Sequence, residues 1–190
     1  GALRYAQRYG ATIAEGDVEF TKNGYAVMLH DKTLDRTTDC TGRVADKTFA
    51  ELRTCAPASV VPQLLFWLRE AKSLGLSVNV EIRNGITDHQ MEVVRRTIVA
   101  EAPDDVVVAS WYPEPLEMAK AALGDRVRVA PIIGPTGSPF GYKVAEHAAQ
   151  FDLILADYRW MIVDRMHWYA DAGVAVWLWT ANTDAAITRC

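Results

Sequence analysis

Short apolar, β-branched runs alternate along this chain with longer stretches in which apolar residues recur roughly every three to four positions. The short runs cover residues 13–18, 77–82, 106–109, 127–133, 153–155 and 174–179, and each predicts a strand. Residues 3–9 predict the tail of an amphipathic helix stopped by Gly10. Over 62–74, Leu64, Leu65, Leu68, Ala71 and Leu74 fall on one side, and Gly75 closes the segment. Further helices are predicted over 88–102, 113–123, 139–150 and 163–172. Asn23-Gly24 is a hairpin turn that leads into a second short run, 25–29. The stretch from 35 to 62 is polar and punctuated by Thr37, Thr38, Gly42 and Pro57, with room for one short helix near 49–53. Strands separated by helices of about 10 to 15 residues predict βαβ units and a parallel sheet buried on both faces.

Composition narrows the partners. With 190 residues, half of them apolar, the chain can bury one sizeable core without disulfide support, and a single domain is expected. A net charge of −4 and a pI near 5.6 argue against a nucleic-acid-binding surface. No apolar run approaches the roughly 18 residues of a transmembrane span. Cys40 and Cys55 lie in one loop-rich segment, with Cys190 last. They are either ordinary thiols or, for Cys40 and Cys55, a bridge that closes a loop; the bridge would imply an oxidising compartment and export, the thiols a cytoplasmic one.

The candidate chemistry is acidic. Glu15 and Asp17 are two apart on a predicted strand and leave the same face as Ile13, whereas Ala14, Gly16 and Val18 suit the face that meets helices. Adjacent carboxylates with no Lys or Arg between them need a counter-charge, and a divalent cation is the usual one. Glu81, on the strand 77–82, reaches the same rim if the sheet is parallel. Three carboxylates make a hard, all-oxygen site suited to calcium or magnesium and not to zinc. His30 follows the run 25–29 and brings a base of near-neutral intrinsic pKa to a strand end near the acids, with Asp31 placed to orient its ring. Arg83 shares a face with Glu81, where it can either contact a phosphate oxygen through two donors or form a salt bridge to Glu81.

From Glu15 to Thr38 the pattern E-x-D-V-x-x-T-x-x-G-x-x-V-x-x-H-D-x-x-L-D-R-T-T resembles the signature of the glycerophosphodiester phosphodiesterase family. An open doubly wound sheet would carry a Gly-rich phosphate loop near its first strand, and none is present. The resemblance implies a (β/α)8 TIM barrel, whose usual length is about 250 residues. Family members begin with a strand ending in His-Arg-Gly and finish with a strand after a Trp-Thr segment. Residues 1–190 are therefore expected to form one partial barrel domain with about six of eight strands, an unclosed sheet and a loop-rich insertion at about 32–62.

The resemblance also implies roles: Glu15, Asp17 and Glu81 as metal ligands, and His30 as one of two histidines that pass a proton in and out. Arg83 stands where many members have Lys, and its expected role is substrate binding. Trp179, in Trp179-Thr180-Ala181-Asn182, matches a late Trp-Thr-x-Asn element and is expected to floor a pocket over the glycerol or head-group carbons. Trp177 is expected to pack more deeply. Ser110-Trp111-Tyr112 resembles a Ser-Phe segment of relatives, although no base accompanies the serine. Tyr158 and Trp160 either line the entrance or are buried, and His89, His147 and His167 fall on predicted helices.

The implied activity is metal-dependent hydrolysis of small-molecule glycerophosphodiesters to an alcohol and sn-glycerol 3-phosphate. Two rival readings are a phospholipid or sphingomyelin-type phosphodiesterase on the same barrel, with Phe140 and Tyr142 at the rim, and a noncatalytic barrel that binds phosphodiesters. The second histidine is expected on the His-Arg-Gly strand, and positioned proton transfer contributes about 10²–10⁴-fold. Purified residues 1–190 should therefore turn over glycerophosphocholine only weakly, and robust hydrolysis in a choline-release assay would contradict the two-histidine expectation.

Overall fold

In the computed structural model, which describes residues 1–57, 60–134, 151, 153–161 and 163–189, the alternation folds as one sheet with helices on its outer side. Six strands run parallel in chain order: β1 (Ile13–Phe20), β3 (Ser77–Ile82), β4 (Val106–Ser110), β5 (Arg128–Ile133), β6 (Leu153–Asp157) and β7 (Ala175–Trp179). The three-residue β2 (Ala26–Met28) pairs antiparallel with the far end of β1, Phe20 opposite Ala26. This pairing carries β1 two residues beyond its predicted end, to Glu19 and Phe20. The sheet order β2-β1-β3-β4-β5-β6-β7 never reverses, so the chain winds in one direction only. A doubly wound sheet would switch direction and put helices on both faces. Single winding leaves one face for helices and the other as an interior, the arrangement of an incomplete (β/α)8 barrel.

The helices start and stop where their sequences favour it. They are α1 (Ala2–Arg8), α2 (Phe49–Cys55), α3 (Leu64–Ser73), α4 (Asp88–Glu101), α5 (Pro113–Leu123), α6 (Val163–Asp171) and α7 (Asp184–Arg189). Thr48 with Glu51, and Thr87 with Gln90, form capping boxes that satisfy the first N–H groups of α2 and α4. Pro113 opens α5, where its missing N–H costs nothing. The six-residue α7 is absent from the apolar pattern. The predicted helix at 139–150, with Phe140, Tyr142 and His147, lies outside the described residues, as does Cys190.

Packing separates two faces. Val78, Val80, Ile82, Val106 and Val108 point outward and bury against Leu64, Leu68 and Ala71 of α3, Met91, Val94 and Ile98 of α4, and Leu116 and Ala119 of α5. On the same side of β1, a Cβ at Gly16 would lie 2.7 Å from Met28 Cε and 3.4 Å from the Trp67 ring, so glycine lets the indole of α3 lie against the strand. The inner face of the later strands holds Val107, Ala109, Ala130, Ile132, Leu153 and Leu155 beneath Trp111, Trp177 and Trp179. The segment 32–62 carries a small core of its own, in which Leu34, Val44, Leu52, Ala56 and Val61 close around Val27 and Leu29. Cys40 and Cys55 are joined there by a disulfide, with Cα atoms 5.1 Å apart.

A loop of 15 residues closed by a disulfide is worth about 3 kcal/mol in the chain-entropy picture. The double variant Cys40→Ser/Cys55→Ser should lose about 2–4 kcal/mol in urea unfolding under non-reducing conditions. Stability equal to the parent would show that the segment's own core suffices.

Candidate active site

The sheet register decides which side chains meet. In the parallel pairing of β1 with β3, Asp17 stands beside Glu81 and Glu15 beside Asn79. Period-two alternation then puts Glu15, Asp17 and Glu19 on the inner face of β1, and Asn79 and Glu81 on that of β3. One carboxylate oxygen from each of Glu15, Asp17 and Glu81 lies within 4.8 Å of the other two. Asp17 is buried, Glu81 is half-buried, and Glu15 stands at the open edge of β1.

These anions crowd one another. The Glu15 and Glu81 carboxyls are each pushed up to about 7, first by loss of bulk water and next by the charge of Asp17. Asp17 is also raised by burial, against the pull of Arg83 and His30. A hard divalent cation with ligands at about 2.0–2.6 Å matches this all-oxygen donor set and would relieve the repulsion.

Arg83 does not pair with Glu81. Its Nη2 donates to Asp17 Oδ1 at 2.9 Å and to the His30 carbonyl, while its Nε lies 3.3 Å from Glu19 Oε1. The guanidinium thereby ties the acidic strand to the backbone of the histidine. His30 itself has Nδ1 2.7 Å from Asp31 Oδ1. Arg36 donates to the same carboxylate, Nε to Oδ2 at 2.6 Å and Nη2 to Oδ1 at 3.0 Å. The Arg36 bonds first, and the His30 contact next, hold the Asp31 carboxyl well below the usual carboxylate range. A ring whose Nδ1–H hydrogen-bonds to an anchored carboxylate keeps Nε2 for exchange.

A cleft of about 290 Å³ joins these groups. Glu15, Asp17, His30, Asn79, Glu81 and Arg83 form one wall, and Trp111, Ile132, Leu155, Trp179 and Thr180 form the other. The Trp111 and Trp179 rings meet edge to face, centroids 5.4 Å apart. Glu15, Asp17, Glu81, His30, Arg83 and Trp179 thus line one cleft. Trp177 sits in the apolar cluster of the interior, with the Arg128 guanidinium 5.4 Å from its ring centre.

The other candidates lie elsewhere. Ser110 is fully buried and its Oγ accepts the Tyr112 N–H, which is a turn and not a nucleophile. Trp160 packs on the outer cluster, and Tyr158 donates its N–H to the Trp179 carbonyl. His89 lies beside the Gly24 turn, and His167 is exposed on α6. Sequence reasoning passed over Glu19 and Asn79 and left Trp111 without a role. Extending the two-residue period from Glu15 and Glu81 would have found the first two.

Residues 1–190 match the sequence profile of the Glycerophosphoryl diester phosphodiesterase family. Similar curated proteins include the Glycerophosphodiester phosphodiesterase 1 of Homo sapiens, 36% identical over 125 residues, covering 60% of this chain and 38% of that protein. The Mus musculus protein of the same name is 50% identical over 122 residues, covering 64% of this chain and 31% of its own length. The chain thus spans about a third of the length of these relatives. Among solved structures, an Oleispira antarctica phosphodiesterase in complex with the product sn-glycerol-3-phosphate aligns with a TM-score of 0.86 at 21% identity, covering 99% of this chain and 80% of that one. A glycerophosphodiester phosphodiesterase from Thermotoga maritima aligns with a TM-score of 0.79 at 17% identity, covering 99% and 81%. At these identities the structural matches show the shared fold.

Proposed function

Because the chain belongs to the glycerophosphoryl diester phosphodiesterase family, we propose that it hydrolyses small glycerophosphodiesters to an alcohol and sn-glycerol 3-phosphate, with a divalent cation, calcium or magnesium, held by Glu15, Asp17 and Glu81. The observation that carries this reading is the convergence of three carboxylates and His30 on one cleft faced by two indoles. The product named for the Oleispira relative supports the same substrate class. A cation in this position supplies Lewis-acid polarisation of a phosphoryl oxygen and acidifies a hydroxyl bound beside it.

The remaining chemistry falls to the chain's own residues. His30, its ring held by Asp31 and Arg36, exchanges a proton at an ester or glycerol oxygen through Nε2. Arg83 adds fixed positive charge next to the phosphate position, although Asp17 and the His30 carbonyl already engage its Nη2. Trp179, braced by Trp111, covers the carbons of the glycerol or head group and keeps water from that side. Residues 1–190 act in this reading as the partial barrel domain that carries the site.

Two measurements on the native protein test the assignment. Loss of a ligand should cost at least the 10–100-fold in metal affinity typical of disturbing a metal site's outer partners. Glu81→Gln should weaken calcium or magnesium binding by at least about tenfold in titration calorimetry, and undiminished affinity would remove Glu81 from the site. His30→Ala should lower kcat for glycerophosphocholine by about 10²–10⁴-fold while cation affinity stays within twofold. Parental turnover in that variant would remove the histidine from the proton path.

A further inference from the structure

Glu19 sits one step beyond Asp17 on the inner face of β1 and contributes no oxygen to the acidic trio. Its carboxylate lies behind the Arg83 guanidinium, with Oε1 3.3 Å from Nε. Both atoms are sealed from solvent and neither has a hydrogen-bond partner, so they face each other as a buried ion pair. A second chamber, of about 170 Å³, opens on this side, lined by Glu19, Lys32, Arg43, Arg83, Asn84 and Gln90 among others. Arg83 is therefore a partition between two chambers, drawn toward Asp17 and the His30 carbonyl at one end and toward Glu19 at the other.

A guanidinium is a rigid planar fork, so fixing Nε fixes where Nη2 falls. We infer that Glu19 is a positioning residue that tethers Arg83 from behind and limits how far its positive charge leans onto the cation-binding carboxylates. This inference rests on the cation reading of Glu15, Asp17 and Glu81 given above. Released from its tether, Arg83 can lean further onto Asp17, the neighbouring acids and the His30 carbonyl. It then competes with the cation for the same oxygens.

The test is titration calorimetry of calcium and magnesium into the native protein and its variants, with circular dichroism to verify folding. Glu19→Gln should weaken binding about tenfold, roughly the effect of 1.4 kcal/mol, although no ligand is lost. Glu19→Asp separates tethering from charge, because it keeps the anion but shortens its reach by one methylene. It should lose affinity as Glu19→Gln does if the contact with Nε matters, and retain it if Glu19 acts through space. In an Arg83→Lys background, which keeps the positive charge but lacks the fork, Glu19→Gln should change affinity less than twofold. Unchanged binding in Glu19→Gln, parental binding in Glu19→Asp, or an undiminished tenfold loss on the lysine background would each overturn the inference. Glu81→Gln serves as reference. If it loses affinity while the Glu19 variants do not, this inference alone fails; if the parent binds neither ion, the cation reading fails and takes this inference with it.

Discussion

Like charges held side by side on adjacent parallel strands set the terms for this molecule. The β1–β3 register leaves Asp17 and Glu81 no room to separate, and Glu15 is only one alternation away. Such a cluster survives folding only with positive charge supplied to it, because a buried carboxylate without a partner gives up its ionisation. The inner face meets part of this need with Arg83, whose two ends reach Asp17 and Glu19. Burial first, and the charge of Asp17 next, leave the carboxyls of Glu15 and Glu81 raised even so. The anions are tolerated because the opposite side of the same strands is tightly packed: Val78, Val80 and Ile82 are almost completely buried, and Gly16 admits the Trp67 ring.

The barrel interior is divided as a consequence. Its first two staves present acids and an amide, whereas β4 to β6 present valine, alanine, isoleucine and leucine, capped by three tryptophans. The division gives the cleft a charged wall and an apolar wall. It also places stability and chemistry on different surfaces. The apolar outer clusters hold the helices, and the inner groups remain free to face one another.

Much of this was legible in the residue pattern, for identifiable reasons. Strands flanked by helices on one side and a barrel interior on the other leave continuous β-branched runs, so all six parallel strands could be read; the strand 77–82 and the helix 113–123 matched to the residue. The trio of Glu15, Asp17 and Glu81 followed from period-two geometry plus the assumption of parallel pairing. What escaped depends on strand pairing, on element length and on contacts between strands. The extension of β1 to Phe20 is imposed by its pairing with Ala26, and α7 is too short to show a periodic face. Arg83 offered two readings because its nearest acid in sequence is Glu81. In space it chose Asp17 and Glu19, which lie on the neighbouring strand. No spacing rule within one strand can show that choice.

The histidine illustrates how a loop acquires the precision of a strand. His30 lies just beyond β2, in a segment whose side chains are largely exposed, yet three links hold it. Leu29 donates its N–H to the Asp17 carbonyl, the His30 carbonyl accepts from Arg83, and the ring contacts Asp31, which Arg36 anchors. Two of these links lead back to the acidic strands and the third stays within the loop. Backbone and ring are thus fixed by different partners. A lysine in place of Arg83 offers a single ammonium on a flexible stem and lacks the fork that reaches Asp17, Glu19 and the His30 carbonyl together. The distance between the histidine and the acidic trio is thus set jointly by the planar Arg83 guanidinium and the Leu29 backbone bond to Asp17.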